Sequence, residues 1–126
     1  MREREFHDYV MGDMLCGIPG VRSRPLFGGY GIYKSGVFFA LISDHELYFK
    51  ADAGNRKYFE ELGSGPFVYR RDGKSMTMSY WKVPEEVIEN RAKLSLWVER
   101  SVAAALRDKN KKGERKEKGG KARGKK

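Results

Sequence analysis

The sequence predicts an α+β fold: an antiparallel sheet flanked by helices, in the order α-β4-α-β2-α-α, followed by a disordered C-terminal tail. Three observations carry this expectation. Apolar residues recur at helical spacing at the two ends of the apolar part and once in its middle. Between those stretches lie short apolar segments punctuated by Ser35-Gly36, Ser43-Asp44-His45 and Asp72-Gly73. Such tight connections suit hairpins, whereas a parallel crossover needs about a dozen linking residues or more. Finally, residues 107–126 hold no apolar side chain larger than Ala122, so burial cannot offset their ordering entropy.

Each element has its own signal. Residues 3–16 read as a helix, with Phe6, Val10 and Met14 on one stripe widened by Met11 and Leu15, and Gly17-Ile18-Pro19-Gly20 stops it. Val21 to Phe27 reads as a strand, then Phe27-Gly28-Gly29-Tyr30-Gly31 as a glycine-dense corner, and Gly31 to Lys34 as its continuation. Val37 to Ser43 is apolar on both faces and should be a central strand. Glu46 to Lys50 follows the next turn. Residues 52–62 read as a second helix, with Tyr58, Phe59 and Leu62 on one face and Gly63 closing it. Phe67 to Arg71 and Lys74 to Lys82 form a hairpin around Asp72-Gly73. In the return strand Met76, Met78 and Tyr80 alternate with Ser75, Thr77 and Ser79, the period expected when one face is buried. Pro84 can open a short helix, with Glu85 and Glu86 placed against its dipole. Residues 91–106 form the longest helix, on a stripe of Leu94, Trp97, Val98, Val102, Ala105 and Leu106.

Charge divides the chain in two. Met1 to Leu106 carries 15 Lys+Arg and 14 Asp+Glu, a net of +1, and Arg107 to Lys126 carries 11 and 3, a net of +8, together the overall +9. The domains are therefore residues 1–106 and a basic tail, 107–126. As a coil the tail would reach roughly 25 Å r.m.s.. Its candidate phosphate contacts are Lys109, Lys111, Lys112, Arg115, Lys116, Lys118, Lys121, Arg123, Lys125 and Lys126. They imply sequence-independent, salt-sensitive binding to DNA or RNA, the alternative being a merely solubilising extension. One cysteine, Cys16, excludes an intrachain disulfide. The charged N-terminus is unlike a signal peptide, and the longest apolar run, Val37 to Ile42, is far short of a membrane span. A soluble, cytoplasmic protein is expected.

Chemistry is harder to find. The glycine corner has neither phosphate-loop spacing, and a strand rather than a helix follows it, so a bulge or tight corner is expected. His7 and His45 have no ligand-spaced Cys or His and read as surface residues; no metal or cofactor is implied. Cys16 at a helix end reads as structural, since a helix C-terminus disfavours a thiolate. Glu60-Glu61 and Glu85-Glu86 point about 100° apart on their helices and make no two-carboxylate site. No nucleophile motif is present, and no catalytic residue is assigned. Tyr30, Tyr33, Tyr48, Tyr69, Tyr80 and Trp81 could form a stacking platform for single-stranded nucleic acid, but packing within the sheet is the commoner fate of strand aromatics. Tyr30, Tyr33 and Trp81 are the candidate partner-binding residues.

The run Arg24-Pro25-Leu26-Phe27-Gly28-Gly29-Tyr30-Gly31-Ile32-Tyr33 resembles the R-x-M-F-G-G-x-G-I-Y stretch of the TfoX N-terminal domain family. Phe38-Phe39-Ala40-Leu41-Ile42, Leu47-Tyr48-Phe49-Lys50, Pro66-Phe67-Val68-Tyr69, Met78-Ser79-Tyr80-Trp81-Lys82-Val83-Pro84 and the Leu94-x-x-Trp97 helix are similar to it in the same order. The resemblance covers about residues 4–106, with Leu26 where the family has Met. It implies a non-enzymatic α+β domain that regulates natural competence, its members acting as transcriptional coactivators alongside a protein partner, the cyclic AMP receptor protein. Full-length members continue into a second domain where this sequence has its basic tail.

Overall fold

The computed structural model describes residues 3–26 and 28–122, with the side chains of Glu3, Arg71 and residues 111–122 outside the description. The first helix, α1 (Glu3–Tyr9), runs on into a π-helical turn, Val10–Met14, closed by the Leu15 N–H donating to the Val10 carbonyl at 2.9 Å. The wider turn brings Val10, Met14 and Leu15 to the interior together, each under a tenth exposed.

Four strands follow: β1 (Val21–Leu26), β2 (Gly29–Lys34), β3 (Val37–Ser43) and β4 (Glu46–Lys50). Then come α2 (Arg56–Glu61), β5 (Pro66–Arg71), β6 (Lys74–Lys82), α3 (Glu85–Ile88) and α4 (Arg91–Ala122). The strands form one antiparallel sheet in the order β1-β2-β3-β4-β6-β5, so the fold is α+β. Three hairpins turn on two residues that both have positive φ: Ser35-Gly36, Asp44-His45 and Asp72-Gly73. That is the turn whose twist matches the strands. The predicted second helix starts late because Asp52 and Asn55 bond locally instead. Asp52 Oδ1 accepts from the Gly54 N–H at 2.8 Å, and Asn55 Oδ1 accepts from the Asp52 N–H at 2.7 Å.

The register sorts side chains onto two faces. On one, Ile32, Ala40, Ile42, Leu47 and Phe49 are buried beneath the helices, with Trp81 beside Phe49. A bulge between Ile32 and Tyr33 adds Phe39 to that core. The α4 residues facing it are Leu94, Trp97, Val98, Ser101, Ala104 and Ala105. Leu106, expected on this stripe, is 41% exposed, because positions 101 and 104 hold the inward places. The boundary expected after Leu106 falls within α4, and Arg107 and Asp108 bond back to the body.

Candidate functional site

The second face of the sheet carries Leu26, Gly31, Tyr33, Phe38, Leu41, Tyr48, Tyr69, Met76, Met78 and Tyr80, placed there by direct pairing and strand alternation. The sheet is curled: Leu26 of β1 and Met76 of β6 line one cavity of 360 Å³ although three strands separate them in the sheet order. Every residue lining this trough comes from a strand. Its aromatic rings lie against one another. Tyr33 stacks on Phe38 at 5.1 Å, Phe38 meets Tyr80 at 5.5 Å, and Tyr48 meets Phe67 at 4.8 Å.

The alternation of Met76, Met78 and Tyr80 is therefore real, but the expectation that it marks a buried face is corrected. Tyr80 is buried and Met78 half-buried, while Met76 is 60% exposed, because no helix crosses this end of the hairpin among the described residues. Glycine makes room for the trough. A Cβ on Gly29 would stand 2.0 Å from the Ile42 carbonyl oxygen, and one on Gly31 3.0 Å from the Phe38 ring. The glycine corner is thus a close strand approach, with Gly28 alone of the three taking positive φ.

At the end of the sheet, α4 is clasped to the body. Arg107 forks onto Asp52, Nε to Oδ2 at 2.7 Å and Nη2 to Oδ1 at 2.8 Å. The Arg107 hydrogen bonds hold the Asp52 carboxyl below the usual carboxylate range, aided by the Gly54 and Asn55 amides, and Asp52 raises Arg107 in turn. Lys50, only 7% exposed, donates to Ser79 Oγ at 2.7 Å and to Asp108 at 3.3 Å and lies over the Tyr80 ring. Burial, with Asp108 nearby, pushes the Tyr80 phenol up to about 12.

The candidate partner-binding residues do not converge. Tyr30 stacks on His7 of α1 at 3.9 Å, and Trp81 packs near Phe59 at 6.0 Å, both on the helical side; Tyr33 stands on the open face. Tyr33, Tyr48, Tyr69 and Tyr80 do share the open face, joined by Phe38 and Phe67, which the sequence reading had not included. His7 is not a surface residue: its ring is 16% exposed, stacked on Tyr30 and 2.7 Å from Ser23 Oγ. His45 and Cys16 are exposed. Glu60 pairs with Arg56 and Glu86 with Lys93, as solvated faces do. Among the described residues no group of three His, Cys, Asp or Glu could hold a metal ion, and no helix is long and apolar enough to cross a membrane. Of the tail cations, Lys109 is exposed on α4; the side chains of Lys111, Lys112, Arg115, Lys116, Lys118 and Lys121, and all of Arg123, Lys125 and Lys126, lie outside the description.

Residues 13–105 match the TfoX N-terminal domain family. The chain is 30% identical to Protein Sxy of Escherichia coli K12 over 102 residues, 81% of this chain and 49% of Sxy. It is 32% identical to the DNA transformation protein TfoX1 of Aliivibrio fischeri over 62 residues, 49% of this chain and 30% of TfoX1. The chain thus spans about half the length of Sxy and under a third of TfoX1.

Proposed function

The chain belongs to the TfoX N-terminal domain family, and from that membership we propose that it is a non-enzymatic regulatory module in the control of DNA transformation. It acts by contact with a protein of the transcription machinery. The single observation that carries this reading is the family match over residues 13–105, shared with relatives named Sxy and DNA transformation protein TfoX1. The site chemistry supports it: an aromatic, methionine-lined trough with no nucleophile–base pair among its described lining residues suits recognition better than turnover.

A tagged full chain, purified from its own cells, should retain a transcription regulator after nuclease treatment, with the cyclic AMP receptor protein the first candidate. Recovery of no transcription component, with the basic segment intact, contradicts the reading. A second reading is favoured by the net +8 of residues 107–126. On that reading the segment supplies nonspecific, salt-sensitive nucleic-acid affinity of its own.

A further inference from the structure

We infer that the open trough binds an unpaired nucleic-acid strand, its bases stacked on the aromatic floor and its phosphates held at the rims. This goes beyond the regulatory reading and does not depend on which protein partner is contacted.

The floor supplies the first half of the chemistry. Phe38, Phe67, Tyr69 and Tyr80 line the trough with Met76 and Met78, and Tyr33 and Tyr48 extend the same face of the sheet by packing on Phe38 and Phe67. Rings on a sheet face are the platform on which unpaired bases stack, and stacking tolerates any sequence because every base has a π-face. Tyr69 and Met76 are 36% and 60% exposed, so part of the floor is open to a ligand.

Charge supplies the second half. Arg22 and Arg24 alternate with Val21, Ser23 and Pro25 on the edge strand, and Arg24 stands opposite Gly31 on the trough side. Lys74 precedes Met76 by two and shares its side. These three are exposed, and none has a hydrogen bond or ion pair among the described residues. The carboxylates of Glu46 and Asp108, on the same side, are each taken by a lysine, Lys82 and Lys50. The cations left over stand on the edge strand β1 and at the tip of the β5–β6 hairpin, which forms the other edge of the sheet, and this fits a polyanion lying between them. A purely apolar protein segment would leave these cations without counter-charges. A duplex is excluded, because its base faces are already stacked on one another.

The test uses the full chain and a labelled thymidine oligonucleotide of about 12 nucleotides, compared with a duplex of equal length across a salt series. At about 200 mM salt the single strand should bind at least about tenfold more tightly than the duplex. Tyr69→Ala with Met76→Ala, both at exposed positions, should weaken single-strand binding about tenfold and leave duplex binding unchanged. Arg22→Ala with Arg24→Ala should flatten the slope of log K against log salt by about 1.4. The preference should survive when Lys and Arg from Lys109 onward are changed to Gln in the full-length chain. A uridine oligonucleotide bound with the same dependence on Tyr69 and Met76 supports the proposal equally, since base faces and phosphates are common to both. Equal binding of single strand and duplex, unaltered by the trough substitutions, overturns it. So does a Tyr69→Ala/Met76→Ala chain that loses a co-purified protein yet holds the oligonucleotide like the wild type, since the trough is then a protein-docking surface.

Discussion

At the scale of single residues, two glycines show why identity and position must be read together. Gly29 lies in β2 with the Ile42 carbonyl 2.0 Å from where a Cβ would stand, so any side chain must push the β2 and β3 backbones apart. Gly12, in the π-helical turn, has nothing within 4 Å of the same point. Gly29→Ala should therefore cost about 1–3 kcal/mol, lowering Tm by roughly 5–15 °C. Gly12→Ala should be neutral or stabilise by up to about 1 kcal/mol through helix propensity. Thermal unfolding of the two variants checks both signs. The sequence marked the corner as glycine-dense, and it predicted strand rather than phosphate loop around it. It did not distinguish the glycine that needs positive φ, Gly28, from those that need empty space, because the obstructing atoms come from β3. His7 escaped for a related reason: its stacking partner Tyr30 is far along the chain, on a strand whose pairing sets where the ring points.

At the scale of elements, α4 is held at both ends of its packed length. Leu94, Trp97 and Val98 anchor it in the core, and Arg107 and Asp108 clasp it to Asp52 and Lys50. The helical stripe was legible as far as Ala105. The clasp was not, because it joins residues 55 and 58 positions apart. Asp52 has a depressed pKa, so the stability it contributes is full above its unfolded value, about 3.9, and is lost as pH falls through the lower folded value. Arg107 is half exposed, so solvent screening keeps the contribution at about 1 kcal/mol or less. Urea unfolding of the wild type and Arg107→Gln should differ by that amount at neutral pH and converge in acid, as pH falls through the lowered folded value of Asp52. A difference that is unchanged in acid would show that Arg107 acts through packing alone.

At the scale of the whole molecule, the parts most legible in the sequence were those with local causes. Hairpins followed from Ser35-Gly36 and Asp72-Gly73, and the central place of β3 followed from its two apolar faces. One of those faces, Phe39, Ala40 and Ile42, enters the core, and the other, Phe38 and Leu41, lines the trough. What could not be read was the curl. It rests on β6 inserting beside β4 and on long-range pairing such as Phe49 with Trp81, neither of which strand spacing encodes. Without the curl, six aromatic side chains are simply strand residues. With it, four of them line one trough and Tyr33 and Tyr48 extend its face, with Arg22 and Arg24 on one edge strand and Lys74 at the tip of the opposite hairpin.

The central claim is that this open face is the working surface of the protein, and its five methionines provide the most direct probe. Met76 and Met78 lie in the trough, whereas Met14 is buried on the helical side and Met11 packs against that core. Methyl-resolved NMR of the full chain, labelled at methionine and titrated with the thymidine oligonucleotide, should move the Met76 and Met78 signals and leave Met14 in place. Signals of Met76 and Met78 that stay fixed while the oligonucleotide binds would contradict the account.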